Sequence, residues 1–134
     1  MASPVQLLGF VGKSTSQFVQ SVFTTTNEIP ATAQALALVP NTAATLWIKV
    51  VAVRTDAGGV GNTANFVQLV KVKRVANVVT IMQIDTIGTD QSDEVGPGVL
   101  VTAIGSALNV TVTGNDGETF AWNIQTSAFI SPIF

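Results

Sequence analysis

Residues 108–125 read LNVTVTGNDGETFAWNIQ and carry the clearest strand–turn–strand pattern of the chain. Apolar residues take every second position on both sides of the turn, namely Leu108, Val110 and Val112 before it and Phe120, Trp122 and Ile124 after it. Between the two runs, Gly114-Asn115-Asp116-Gly117 supplies turn-forming residues. Because successive side chains of a strand point to opposite faces, this stretch predicts an antiparallel hairpin with one buried and one polar face.

The same β-rich character extends through the rest of the chain. There are 20 Val, 9 Ile and 17 Thr residues, 46 of 134 positions, and such β-branched residues favour strands over helices. Strand-like runs lie at 16–25, 45–55, 64–74, 77–87, 99–104, 107–113 and 118–127, with an eighth candidate at 35–39. Turn-forming residues separate these runs. The sequence therefore predicts an all-β fold, a single-domain antiparallel β-sandwich or jelly roll with extended N- and C-terminal arms.

Three segments of the chain differ in pattern. Residues 1–15 follow no clear period and are predicted to form an N-terminal arm, residues 16–127 form the β-sandwich domain, and residues 128–134 form an apolar C-terminal tail. The tail either pairs with the domain's own sheet as a further strand or packs on a neighbouring chain.

Three local patterns give more detailed expectations. In the run 45–55 both alternating sets are largely apolar, which predicts a central strand covered on both faces. Residues 31–38 are the only helix-permissive stretch. The cations Lys71, Lys73 and Arg74 are typical of an edge strand that is protected against aggregation, because an acidic chain without a basic stripe is a poor nucleic-acid binder.

The chain contains no His and no Cys, which excludes whole classes of site. Ser-His-Asp and Cys-His catalysis, and metal sites built on imidazole or thiolate, are impossible. The P-loop-like residues 9–15 (GFVGKST) have the wrong spacing, since the first glycine would have to replace Leu7. The acids Asp90, Asp93 and Glu94 lack EF-hand spacing and favour a solvated loop over a calcium site. We therefore predict no catalytic, cofactor-binding or metal site, and expect that the chain is not an enzyme.

Charge is scarce. Charged residues make up 10% of the chain, the net charge is -2 and the mean hydropathy is +0.48. With so few charges to coat the outside, part of the surface is expected to be covered by other chains. The sequence contains no run of 18 apolar residues, the length that a membrane-spanning helix needs. The start of the chain lacks the basic segment followed by an apolar segment that is typical of a secretory signal. We expect synthesis in the cytoplasm without export, with no membrane and no nucleic-acid partner.

Residues 45–54 (TLWIKVVAVR), the glycine loop at 56–62 and residues 108–124 together resemble a β-rich domain that is common in virion proteins of tailed bacteriophages. The resemblance covers residues 36–127, with Gly114 at the closing turn and Trp122 on the return strand. It implies a structural module of the kind found in capsid decoration (cement) proteins, head fibres and tail-fibre segments, which are often trimeric.

The short arms, without a long stalk, suit a capsid decoration protein within this family. The resemblance then implies a homotrimer on the virion that binds the major capsid protein at the outer capsid surface and stabilises the head. Candidate assembly contacts are the apolar residues of the arm, the first strand and the tail: Phe10, Phe18, Phe129, Ile130, Ile133 and Phe134. The alternative is a head-fibre or tail-fibre adhesion module that binds host surface glycans.

Overall fold

The computed structural model describes residues 5–8 and 15–133, and these residues contain strands and no helix. The strands are β1 (Val5–Leu8), β2 (Thr15–Thr25), β3 (Ala31–Leu38), β4 (Thr42–Arg54), β5 (Thr63–Val75), β6 (Val78–Thr86), β7 (Gln91–Ser92), β8 (Gly98–Ile104), β9 (Ala107–Thr113) and β10 (Phe120–Pro132). The predicted all-β class is confirmed. The antiparallel hairpin predicted for residues 108–125 is wrong, because β9 pairs with β3 and β8 in one sheet while β10 pairs with β2 and β4 in the other, so the turn at 114–117 connects the two sheets.

The strands form two sheets. One is four-stranded in the order β1-β3-β9-β8, and the other is six-stranded in the order β2-β10-β4-β5-β6, with the short β7 also pairing with β5. All pairs are antiparallel except β1 with β3, which run parallel. The arrangement agrees with the predicted sandwich.

The core lies between the sheets and is built from alternate residues of their strands. Along β10 the buried set is Phe120, Trp122, Ile124, Thr126, Ala128 and Ile130. The apolar face predicted for residues 120–126 is therefore the core face. Facing it, the four-stranded sheet contributes Leu36 and Leu38 from β3 and Leu108, Val110 and Val112 from β9.

Polar contacts tie the sheets together inside this core. Gln34 of β3 is fully buried; its Nε2 donates to Ser21 Oγ over 3.1 Å, and its Oε1 accepts a hydrogen bond from the buried Thr126 hydroxyl. Buried polar groups are costly unless paired, so these bonds fix how β3 sits over β2 and β10.

Residues 31–38 form a strand that contains most of the eighth candidate at 35–39, and their buried side chains and pairing with β1 and β9 outweigh the weak helical preference of Ala and Leu. The expectation of an edge strand at the cations Lys71, Lys73 and Arg74 is wrong. The strand that carries Lys71 and Lys73 is not an edge strand, since β5 lies between β4 and β6. Arg74 of the same strand faces the other way and donates from Nη1 to the Leu38 carbonyl oxygen.

The strand predicted to be covered on both faces is covered on one. β4 is central in its sheet, and its Leu46, Ile48 and Val50 are buried. On its opposite face Trp47 and Val51 remain 41% and 42% exposed, because the four-stranded sheet packs against only one side.

The C-terminal segment pairs with its own sheet, since β10 continues past the predicted end at 127 and pairs with β4 as far as Pro132. The division of the chain into arm, domain and tail stays a prediction. Among the described residues there is no helix long and apolar enough to span a membrane.

Candidate functional site

The side of the six-stranded sheet that faces away from the core is the candidate site, and we name it the outer face. Strand register brings distant residues into rows across it. Ser127 of β10 pairs with Phe18 of β2 on one side and with Trp47 of β4 on the other, and Trp47 pairs in turn with Leu69 of β5. These residues lie side by side although they come from four separated parts of the sequence.

Large apolar side chains are exposed on this face. Phe18 is 58% exposed, Trp47 41% and Phe129 57%. Val22, Val51 and Val53 continue the exposed apolar surface toward the other end of the sheet. Folded chains rarely leave a contiguous apolar patch uncovered unless it serves an interaction, so this face is the strongest candidate for binding.

A groove runs along β10. Its floor consists of the small and polar outward residues Ala121, Asn123, Gln125 and Ser127. Larger side chains on the two neighbouring strands form its walls, Phe18 and Val22 on β2 and Trp47, Val51 and Val53 on β4. The walls stand about 10 Å apart, two strand spacings, and the floor from Ala121 to Phe129 is about 27 Å long.

Two hollows occupy this groove. One, of about 350 Å³, lies at the Phe129 end between Phe18, Trp47 and Ser127. The other, of about 500 Å³, lies between Val22, Val51 and Val53 above Ala121. Both are open and shallow in form, which suits an extended ligand that lies on the sheet better than one enclosed in a pocket.

The polar groups of the groove are amides, hydroxyls and one ammonium. On the floor, Gln20 Nε2 donates to Asn123 Oδ1 over 3.2 Å. Lys49, exposed on β4, is the only charged residue on the outward side of β2, β10 and β4 within the described residues. The groove therefore offers apolar walls, neutral donors and acceptors, and a single positive charge.

A second cluster surrounds Arg54 at the end of β4. Its guanidinium forms ion pairs with Asp56 at 2.8 Å, Glu94 at 3.1 Å and Glu118 at 3.0 Å, and so joins three loops. Gly59 permits this, because a Cβ there would lie 2.6 Å from Arg54 Nη1. The close approach of this side chain explains Gly58 and Gly59, whereas Gly61 has a positive φ of 88° that favours glycine.

The contacts of this cluster favour the ionised forms of Asp56 and Glu94. The hydrogen bond from Arg54 lowers the pKa of Asp56 well below its usual value, and the Thr119 backbone N–H adds to the effect. The amide of Asn62, which donates to Glu94 over 2.9 Å, lowers the pKa of Glu94, and Arg54 lowers it further. The Asp56 contact likewise raises the pKa of Arg54. Two carboxylates held in their charged form suit a structural ion cluster and not proton donation.

Asp93 and Glu94 share the loop after β7 but have different partners: Glu94 binds Arg54, and Asp93 accepts from the Thr63 backbone N–H over 2.9 Å. The nearby Asp85 lies on β6 and accepts from Gln83. Among the described residues no group of three metal-ligating side chains converges.

The structure places four of the six predicted assembly contacts. Phe18 and Phe129 lie on the outer face, and Ile133 is 39% exposed just beyond β10. Ile130 is fully buried in this chain's own core, so it is not used in the proposals below. Phe10 and Phe134 lie outside the described residues. The role of these residues in assembly stays a prediction.

Sequence reasoning missed the groove itself. Trp47, Val22 and Asn123 belong to three different strands, and only the pairing of β10 with both β2 and β4 brings them together. The sequence feature that could have indicated the groove is the second set of alternating apolar residues in 45–55, which includes Trp47, Val51 and Val53. The sequence analysis assigns that set to a second buried face. The Arg54 cluster was not predicted because Arg54 and Asp56, Glu94, and Glu118 lie in three separate segments of the chain.

Comparison with known proteins gives a likeness of fold. No family model matches the chain, and no curated protein matches it. Among solved structures, a region of the tailspike protein of Acinetobacter phage vB_ApiP_P1 is similar, with 16% identity, a TM-score of 0.45 and coverage of 87% of this chain and 22% of that one.

A second similar structure is the tailspike protein gp49 of Acinetobacter baumannii bacteriophage Fri1, a capsular polysaccharide depolymerase, with 12% identity, a TM-score of 0.40 and coverage of 87% of this chain and 19% of that one. The prediction that the chain is not an enzyme is contradicted by this finding and is withdrawn. The missing His and Cys exclude imidazole and thiolate chemistry but leave carboxylate chemistry open. The chain spans about a fifth of the length of both structures, and both are tailspike proteins of phages.

Proposed function

We propose that the chain is a structural module of a phage virion and that its outer face binds an extended glycan of the host surface. The observation that carries this proposal is the groove along β10, with aromatic and aliphatic walls and an amide and hydroxyl floor. The virion assignment is supported by the resemblance of residues 45–54 and 108–124 to phage virion domains.

The walls and floor of the groove suit the two kinds of surface that a sugar chain presents. The C–H faces of sugar rings are apolar and pack on side chains such as Trp47 and Phe18. The hydroxyl edges are polar and find donors and acceptors at Asn123, Gln125 and Ser127. Apolar contact with a few placed polar groups is the usual composition of a ligand site.

The proposal is tested by measuring binding of the purified chain to capsular polysaccharide from its host, using affinity electrophoresis or calorimetry. Trp47→Ala removes the largest wall of the groove and is expected to weaken binding at least about tenfold, the loss of one buried aromatic contact. Leu100→Ala is the control, because Leu100 is 61% exposed on the other sheet.

Equal binding by the chain and by Trp47→Ala would remove the groove as the glycan site. Thermal unfolding of both variants checks that the fold is retained, and only small changes are expected because both side chains are exposed.

Capsid decoration is the second candidate, and one observation favours it. At one end of the groove Phe18, Phe129 and Ile133 are all exposed, which together with the scarcity of charge suits an interface with another protein. Such a protein would bind the major capsid protein and, as a homotrimer, gain strength from several contacts made at once.

The two candidates differ in what they predict for particles that lack the chain. A decoration protein rebinds such capsids and raises their resistance to heat, whereas an adhesion module leaves capsid strength unchanged and restores attachment to cells. Electron microscopy of the intact particle supplies the position: density on the capsid surface supports decoration, and density at a fibre or tail tip supports adhesion.

A further inference from the structure

We infer that the groove along β10 selects an acidic polysaccharide, and that Lys49 is the residue that recognises its negative charge. This inference rests on the proposed glycan-binding function and adds the chemical class of the ligand. It is carried by the position of Lys49 and by the distribution of charge around it.

Lys49 lies at the midpoint of the groove. It pairs across the sheet with Gln125, which is halfway along the floor between Ala121 and Phe129. On its own strand it lies between the wall residues Trp47 and Val51, which point to the same face. A ligand that fills both hollows therefore passes over the Lys49 ammonium group.

The charge of Lys49 is not compensated by the chain. Within the described residues its ammonium makes no ion pair, and the outward sides of β2, β10 and β4 carry no acid. Asp85 on β6 lies in the neighbouring row, that of Trp47 and Leu69, and accepts a hydrogen bond from Gln83 over 2.8 Å. A ligand with carboxylate groups would supply the missing partner.

The charge of the groove contrasts with that of the whole chain. The net charge is -2, and seven of the eight acids lie in loops, three of them bound to Arg54. An acidic polymer is therefore repelled by the loops and attracted at the groove. Such an arrangement favours binding in one place and disfavours non-specific binding elsewhere.

The width of the groove favours a single extended chain. Walls about 10 Å apart leave space for one polymer strand lying along β10 and not for a helix with its side chains, which is about as wide as the whole groove. An extended acidic peptide has the same overall shape and charge, so it is the competing ligand that the experiment has to separate.

The experiment compares polymers that differ only in charge. Polygalacturonate and hyaluronate are each titrated into the full chain alongside their methyl-esterified forms, which keep the sugar backbone and lose the carboxylate charge. The chain is expected to bind the acidic forms about tenfold more tightly, the value of one hydrogen bond to a charged group. The preference should shrink between 0.05 and 0.5 M salt as screening increases.

Lys49→Gln is expected to weaken binding of the acidic polymers about tenfold, so that they bind no more tightly than their esterified forms do. Lys73→Gln is the matched control. It removes the same charge from the outward side of β5, six residues along the strand from Val67, the pairing partner of Lys49, and so about 20 Å away. The control should keep the full preference.

The outcomes separate the inference from the proposed function. Equal binding of acidic and esterified polymers overturns the inference and leaves glycan binding standing. Binding of none of the polymers overturns both. Binding of polyglutamate as tightly as polygalacturonate, with equal loss in Lys49→Gln, overturns the inference in favour of an acidic protein segment.

Discussion

The indole N–H of Trp122 donates to the side-chain hydroxyl of Thr25 over 2.8 Å, and both residues are buried between the sheets. The bond joins β10 to the end of β2 across 97 positions of sequence. Trp122 also stacks on Phe66 with ring centroids 6.5 Å apart. On its core side, β10, the floor strand of the groove, is therefore stabilised at Trp122 by the stacking on Phe66 and by the hydrogen bond to Thr25.

Thr25→Val is expected to destabilise the fold by about 1–3 kcal/mol, because it keeps the shape of the side chain and leaves the Trp122 N–H unpaired in the core. Thr25→Ser keeps the hydroxyl and loses one methyl group, a cost of about 0.8 kcal/mol. Chemical denaturation of both variants checks the order. A larger loss for Ser than for Val would show that the methyl contact outweighs the hydrogen bond.

Gly114→Ala is expected to weaken the same region. A Cβ at Gly114 would lie 2.5 Å from Thr25 Oγ1 and 3.1 Å from the Asn27 carbonyl oxygen, so either the hydroxyl or the backbone has to move. Overpacking of this kind costs about 1–3 kcal/mol. Gly98→Ala is the control, since its nearest atom would be 3.9 Å away, and its unfolding midpoint should change much less.

The buried pair Gln34 and Thr126 can be tested with a double-mutant cycle. Gln34→Met removes the partner of the Thr126 hydroxyl and is expected to cost about 1–3 kcal/mol, because a buried donor is left unpaired. Adding Thr126→Val removes the unpaired group, and the double variant should recover much of that loss. Additive losses in the cycle would contradict a direct interaction.

The Arg54 cluster predicts a loss of stability in acid. The pKa values of Asp56 and Glu94 are lower in the folded chain than their ordinary values of 3.8 and 4.5, so the unfolded chain binds more protons as the pH falls. Their contribution is complete above about pH 5 and decreases as the pH falls through 4 toward the lowered folded values. Thermal unfolding between pH 2 and 7 measures the decrease.

Arg54→Gln should lower the unfolding temperature at pH 7, since three acids then lie together without their shared cation. Its stability should also depend less steeply on pH between 5 and 2. Lys49→Gln, which removes an exposed cation that makes no ion pair with the part of the chain that the structure describes, serves as the control and should retain the steep acid dependence. Parallel curves for Arg54→Gln and the parent chain would show that the cluster is not the origin of the acid sensitivity.

The two tryptophans provide an optical test of the groove. Trp47 is 41% exposed and Trp122 is fully buried, and the chain has no other tryptophan. In Trp122→Phe, acrylamide should quench the remaining emission readily, and a bound polysaccharide should protect it. In Trp47→Phe the emission should resist quenching with or without polysaccharide. Unchanged quenching of Trp47 at saturating ligand would place the ligand elsewhere.

The strands could be predicted from the sequence because period-two alternation is a local property. Residues 108–125 show it most clearly, and the predicted inward set of β10 is the buried one. Where both sets are apolar, as in 45–55, alternation cannot tell a second covered face from an exposed binding face. An apolar residue such as Trp47 fits a covered face and an exposed binding face equally well. Trp47 is exposed because the four-stranded sheet packs on the opposite side of β4.

The candidate site could not be predicted, because it depends on which strands are neighbours. Phe18 and Trp47 lie on either side of Ser127 only through the order β2-β10-β4, in which Ser127 pairs with residues about 110 and about 80 positions earlier in the chain. Arg54 likewise gains its partners Glu94 and Glu118 from loops that the fold brings together. Local patterns carry no information about such pairings.

The position of β10 between β2 and β4 also sets the order in which the six-stranded sheet can assemble during synthesis. β4, β5 and β6 follow one another in the chain and can pair as soon as they leave the ribosome. β2 is made earlier, yet among the strands of residues 5–8 and 15–133 it pairs in that sheet with β10 alone, so this pairing has to wait until residues 120–132 have been translated. Closing so long a loop is slow, and insertion of β10 is therefore the step that completes folding.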